Sequence, residues 1–231
     1  MLTLAEIQDR VRGQLRDQTQ DVFSDADITR YANDALRDLS AETNAFWTTT
    51  TATTVAGTAT YSLPTDFIRM QKVFWNDTNA IPETTINELA GLTGNMTTQG
   101  TPYCYYIRRT PTGGTSQVPA LLGLYYVPSA SSITVRYYYN YVPAAVTSIS
   151  ARFPVPYGYD DSIVSFVCWQ LKKADREPTE ADRYRSEWNE WIGKMKRNLV
   201  PSPNSHRVLG RDTGASNTRG PILDPYAFGA T

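Results

Sequence analysis

The sequence predicts a mixed α+β fold. A four-helix bundle is contributed half by each end of the chain, an antiparallel β sandwich or open barrel is inserted between the halves, and an extended C-terminal arm follows. Three observations lead there. Apolar residues recur at gaps of three and four from Leu4 to Leu39 and again from Ile163 to Met195, the period of a one-sided helix. Between them, from Trp47 to Tyr141, β-branched and aromatic residues dominate and Gly, Pro and Asn-Asp turns interrupt them. From Leu199 onward neither period survives, and Pro201, Pro203, Gly210, Gly214, Gly220, Pro221, Pro225 and Gly229 punctuate the chain. The boundaries that follow are 1–44 and 153–198 for the two helical halves, 45–152 for the β domain and 199–231 for the arm.

The elements follow in order. Thr3-Leu4-Ala5-Glu6 is a capping box, and Leu4, Ile7, Val11 and Leu15 form the stripe of a first helix fading near Gln18. Ser24 caps a second helix, with Asp25 and Asp27 at the positive end of its dipole and Ile28, Ala32, Ala35, Leu36 and Leu39 on one face. The threonine run from Trp47 to Val55 suits a strand, as do Thr60–Leu63 and Ile68–Trp75. Thr85-Ile86-Asn87-Glu88 opens a short helix through Leu92. Tyr103–Arg108, Leu121–Val127 and Ile133–Tyr141 then read as an antiparallel meander. In the last of these Val135, Tyr137, Tyr139 and Tyr141 share one face, and Arg136, Tyr138 and Asn140 the other. Helices return at Asp160 and at Pro178, the second carrying Ala181, Tyr184, Trp188, Trp191 and Met195. Each helical pair has one apolar stripe and no other surface to bury it against, so the pairs should meet.

Composition narrows the function. The net charge of −1 lacks the basic excess of a protein whose main work is gripping phosphates. One histidine, His206, and two distant cysteines, Cys104 and Cys168, leave no zinc set and no Cys–His pair, and both thiols read as buried and free. No segment is apolar enough to span a bilayer, and the amphipathic start is not a signal peptide, so folding in a cytoplasm is expected. Asp160-Asp161 could serve metal or acid/base chemistry, but at a helix start a cap and dipole partner is the expected role. Gly113-Gly114-Thr115-Ser116 lacks the lysine of a phosphate loop, and no G-x-S-x-G occurs. No catalytic residue, metal ligand or cofactor-binding residue emerges, and the expectation is a protein that is not an enzyme and holds no cofactor.

Fifteen tyrosines are the compositional extreme. At strand and helix spacing such residues serve cores or subunit interfaces, so Tyr137, Tyr139, Tyr141, Trp188 and Trp191 are the expected contacts to other subunits. The arm is either a linker or a segment that orders on a partner. Ile222, Leu223, Tyr226 and Phe228, with Arg211 and Arg219, are its candidate contacts.

The run Phe23-Ser24-Asp25-Ala26-Asp27-Ile28-Thr29-Arg30-Tyr31-Ala32-Asn33-Asp34-Ala35-Leu36 is followed by Tyr61-Ser62-Leu63-Pro64-Thr65-Asp66-Phe67-Ile68-Arg69. Gly100-Thr101-Pro102-Tyr103, Leu124-Tyr125-Tyr126-Val127-Pro128 and Phe153-Pro154-Val155-Pro156-Tyr157 come next. In this order and spacing, over residues 1–198, the chain resembles the head-to-tail adaptor (connector) proteins of tailed bacteriophages, in particular the short-tailed type. The resemblance implies a structural virion protein at the head–tail junction, assembled in the bacterial host cytoplasm. It implies a homo-oligomeric ring of about twelve copies, one heterologous contact repeated until it closes. The ring would sit under the portal protein, extend the channel through which double-stranded DNA passes transiently, and dock the tail nozzle or tube. The arm, through Arg211, Arg219, Ile222, Leu223, Tyr226 and Phe228, would hold the portal. The alternative is a tail-associated binding module whose aromatic β surface recognises a glycan or receptor. A tail-associated lytic enzyme is a third reading, which one histidine and no spaced acid pair disfavour.

Overall fold

The computed structural model describes residues 1–17, 22–93, 97–109 and 120–199, and Met1–Leu199 forms one compact unit. Five helices are present among the described residues: α1 (Leu4–Leu15), α2 (Asp25–Glu42), α3 (Ile86–Thr93), α4 (Asp160–Ala174) and α5 (Pro178–Leu199). Their starts follow the capping chemistry of the sequence. The Glu6 N–H donates to Thr3 Oγ1 at 3.2 Å while the Thr3 N–H donates to the Glu6 carboxylate at 2.7 Å. That backbone bond holds Glu6 below the ordinary carboxylate range. Ser24 Oγ accepts from the Asp27 N–H at 3.1 Å. Thr85 and Glu88 repeat the reciprocal box at α3, and Pro178 takes the first position of α5. The first helix stops before the expected Gln18, because Arg16 turns left-handed at φ 58° and its N–H returns to the Arg12 carbonyl.

Four of the helices share one apolar cluster, with α4 in the middle. It packs on α1, α2 and α5, and every residue from Ser162 to Cys168 is buried. A helix buried round most of its girth belongs inside, and the one-sided α1, α2 and α5 lie against it. Leu4, Ile7, Leu36, Phe166, Trp188 and Met195 meet there.

The β region holds β1 (Trp47–Thr53), β2 (Thr60–Ser62), β3 (Phe67–Trp75), β4 (Asn79–Ile81), β5 (Gln99–Gly100), β6 (Cys104–Arg108), β7 (Leu121–Tyr125), β8 (Val127–Pro128) and β9 (Thr134–Tyr141). An antiparallel sheet of order β1-β9-β3-β4 faces an antiparallel sheet of order β2-β7-β6, and β5 and β8 form a small parallel pair. Val73, Val135, Tyr137 and Tyr139 of the first sheet and Tyr105, Leu122 and Leu124 of the second build a second apolar cluster. The described strands form no closed barrel.

The expected meander is corrected here. β6 and β7 pair as foreseen, but β9 crosses to the other sheet and lies between β1 and β3. Thr54 draws it there. Its N–H donates to the Ile133 carbonyl at 2.9 Å, its Oγ1 accepts from the Ile133 N–H at 3.0 Å, and its carbonyl accepts from the Ser132 N–H at 2.9 Å. In the second sheet Gly123 of β7 lies under the Tyr106 ring of β6, and a Cβ at Gly123 would come within 2.1 Å of it. Only glycine lets that ring lie flat across the strand.

Two chain crossings join the sheets to the helices, and they run side by side. The Tyr141 N–H donates to the Phe46 carbonyl at 3.1 Å, and their rings meet edge to face at 6.4 Å. Beyond Tyr141 the return segment is stapled to α2. Asn33 Nδ2 donates to the Val146 carbonyl at 2.9 Å, and the Val146 N–H donates to Asn33 Oδ1 at 2.7 Å.

Candidate assembly surfaces

The polar residues of the helical part are turned to internal use. Arg12 is buried and bridges Asp17 at 3.2 Å and Asp25 at 2.5 Å. Asp17 also accepts from the Phe23 N–H at 3.0 Å, which fixes the path into α2. Asp160 accepts from the Leu2 N–H at 2.8 Å and Asp161 pairs with Arg10. The expected capping role of this acid pair is corrected: the N-cap is Tyr159, with no side-chain cap bond, and the two carboxylates fasten the start of the chain to α4. They remain in its first turn, where negative charge suits the dipole. Much of the Phe23–Leu36 motif is explained the same way, through the Ser24 cap, the Asp25 ion pair and the Asn33 staple.

The aromatic residues expected at interfaces divide. Tyr137, Tyr139 and Trp188 are 4%, 5% and 4% exposed, inside the chain's own two cores, and have little surface left for a partner. Burial, and then the neighbouring Asp66 carboxylate, push the Tyr139 phenol up to about 12. Tyr141 and Trp191 are half-buried; Trp191 packs edge to face on Tyr159 at 6.2 Å with the Lys194 ammonium 4.5 Å from its ring centre. Arg211, Arg219, Ile222, Leu223, Tyr226 and Phe228 lie outside the described residues.

The structure adds three surfaces that periodicity did not single out. The first is the outer face of the β1-β9-β3-β4 sheet. Trp47, 60% exposed, meets Tyr138 at 6.3 Å, and Tyr138 meets Phe74 at 5.9 Å, so a strip of three rings crosses three strands. Lys72 stands over Phe74, and Arg136 pairs with Asp77 beside it. The rings meet at 44° and 69°, which is a packed strip and not the flat platform that a sugar ring stacks on. The second is Tyr157, 89% exposed on the proline-flanked turn before α4 while its motif neighbours Phe153 and Val155 are buried. A large ring held out on a stiff turn is the signal that sequence reading could have weighed, since Pro154, Pro156 and Gly158 restrict how it can fold back. The third is a cleft of about 320 Å³ between the end of α4 and the start of α5, lined by Trp169, Lys173, Arg176, Pro178, Asp182 and Arg185. Lys173 and Arg185 stand 6.0 and 5.8 Å from the Trp169 ring centre.

The chemistry available at neutral pH is modest. Both cysteines are buried and free. Burial first, then Glu187, pushes the Cys168 thiol up to about 12, so it stays protonated. Among the described residues no group of three His, Cys, Asp or Glu side chains could hold a metal ion, and no helix is long and apolar enough to cross a membrane.

No curated protein matches the chain. The family model of the SU10 adaptor protein does, over residues 2–208, which takes in both helical pairs and the whole β region described above and agrees with the resemblance read from the motifs. A match spanning nearly the entire folded unit shows that the chain belongs to the SU10 adaptor protein family.

Proposed function

We propose that this chain is a structural head-to-tail adaptor of a tailed phage, forming a ring between the portal and the tail and lengthening the DNA channel. The family match over residues 2–208 carries this reading. In it the helical residues of 1–44 and 153–198 form a four-helix bundle as a stiff base, the β region of 45–152 projects from it, and the arm from 199 reaches the portal. The half-buried Tyr138, Tyr141 and Trp191 and the exposed Trp47 and Tyr157 supply the subunit and tail contacts. Arg211, Arg219, Ile222, Leu223, Tyr226 and Phe228 supply the grip on the portal. A repeated heterologous contact needs two different surfaces on one chain, and the sheet face and the Tyr157 turn belong to different elements. Near-neutral charge suits a conduit that must release its cargo. No reaction is assigned.

The experiment is a truncation ending at Gly210, mixed with assembled portal and followed by sedimentation and electron microscopy. The full chain is expected to add a ring to the portal, and the truncated chain to keep its fold by circular dichroism yet fail to add. Unchanged docking of the truncated chain would remove the arm from this account, and failure of the full chain to bind any portal would remove the adaptor reading itself.

A further inference from the structure

Among the described residues, the β1 edge of the larger sheet is unprotected. β1 pairs on one side with β9, and residues 47–53 make no other backbone hydrogen bond among the described residues. Its partner side runs in unbroken register over seven residues, Trp47-Thr48-Thr49-Thr50-Thr51-Ala52-Thr53, without a bulge, a charge or a proline. Those are the devices by which folded proteins keep such an edge from pairing with another chain. Among the described residues the longer remaining edges are shielded, and the part of β3 that β4 leaves unpaired carries Arg69 and Lys72 and two register shifts. β2 and β4 have three residues each. The outer side of β6 is occupied by the Thr84 N–H bond to the Tyr105 carbonyl, 2.8 Å, and the Tyr105 N–H bond to the Pro82 carbonyl, 3.0 Å.

β1 is also complementary to itself. Turned antiparallel about Thr50, Thr49 faces Thr51, Thr48 faces Ala52, and Trp47 faces Thr53. Threonine pairs of this kind favour pairing, and no like charges oppose one another. A second feature agrees. Trp47, 60% exposed, stands at the start of the strand, and an antiparallel pair sets each Trp47 ring beside Thr53 of the other copy, twice over. We infer that β1 pairs antiparallel with β1 of a second copy of this chain, joining two four-stranded sheets into one across a two-fold axis at Thr50.

Such a contact is isologous and closes on itself, so it cannot propagate a ring. It does not rest on the adaptor reading. It covers in the free chain an edge that would otherwise be open to unspecific strand pairing, and it must open before any other strand uses that edge.

The test is sedimentation velocity on the full chain over a concentration series. The unaltered chain is expected to pass from monomer to dimer. The double variant Thr49→Lys, Thr51→Lys places lysines opposite lysines on the exposed face. Its dissociation constant should rise at least ~10-fold, with unchanged circular dichroism and melting temperature. Chains carrying Thr49→Cys and Thr51→Cys should cross-link to each other on oxidation, and neither efficiently to itself. A chain that stays monomeric throughout, a dimer indifferent to the lysines, or cross-links in another register would overturn the pairing.

Discussion

The helical part and the β part use the same kinds of residue to opposite ends. Among the helices, the charged and amide groups highlighted above are spent on the chain itself: Arg12 on Asp17 and Asp25, Asn33 on Val146, Asp160 on the Leu2 amide. In the β part the inner faces close a core, yet the outer sheet face shows Trp47, Tyr138 and Phe74, and among the described residues the edge of β1 has no partner. The polar groups of the helical part mostly close on the chain itself, while the β part leaves backbone hydrogen-bonding groups of β1 unpaired among the described residues.

The sharpest way to break this contrast is a pair of tryptophans. Trp188, 4% exposed in the helical core, should cost ~3–5 kcal/mol on change to alanine. Trp47, 60% exposed, should change stability by no more than ~0.5 kcal/mol. Urea unfolding of both variants measures it, and similar losses would erase the distinction between the two parts. Next comes Arg12→Ala. It leaves the buried Asp17 carboxylate without its cation and should cost ~3–5 kcal/mol in the same assay. A loss near zero would mean that the ion pair is solvated and the helical corner is not self-satisfied.

In the β part, Gly123→Ala pushes a methyl into the Tyr106 ring and should cost ~1–3 kcal/mol, partly recovered by adding Tyr106→Leu. Thermal melts of the single and double variants decide whether the ring and the glycine are coupled. The smallest effect concerns Asp38. Burial, then Asp34 and Glu42, raise its carboxyl above the ordinary range, so the folded chain binds that proton more tightly than the unfolded chain. The charged form therefore works against the fold at neutral pH, and the penalty disappears as pH falls below the unfolded value. Asp38→Asn should stabilise by at most ~0.5 kcal/mol at neutral pH, since solvent screens so exposed a group. The gain should vanish at pH ~3. A gain that persists in acid would assign the effect to something other than charge.

Much of this was legible in the sequence because it is local. Thr3 and Glu6, Ser24, and Thr85 with Glu88 lie within one helical turn of the groups they cap, so spacing alone located α1, α2 and α3. The alternation from Val135 to Tyr139 assigned faces of β9 correctly for the same reason. It could not say which sheet β9 joins, because period two fixes a face and not a neighbour; Thr54, remote in sequence, decides that. Nor could it separate Tyr137, which is core, from Tyr138, which is half-exposed on the outer face, as candidates for contact. Both readings share one pattern, and only the opposing layer of Leu122 and Leu124 shows which side is sealed. Asp160 and Asp161 were placed correctly at a helix start, but their partners Leu2 and Arg10 stand at the far end of the chain.

The paired crossings at Phe46 and Tyr141 have a mechanical consequence. Because the two legs lie side by side and are tied by the Tyr141 amide and the ring contact, torque about the stem loads both together. Flexure across the plane they share is opposed mainly by side-chain packing and by the single Val142 N–H bond to the Asp66 carbonyl. The β region should therefore nod more readily than it twists, a compliance with a direction.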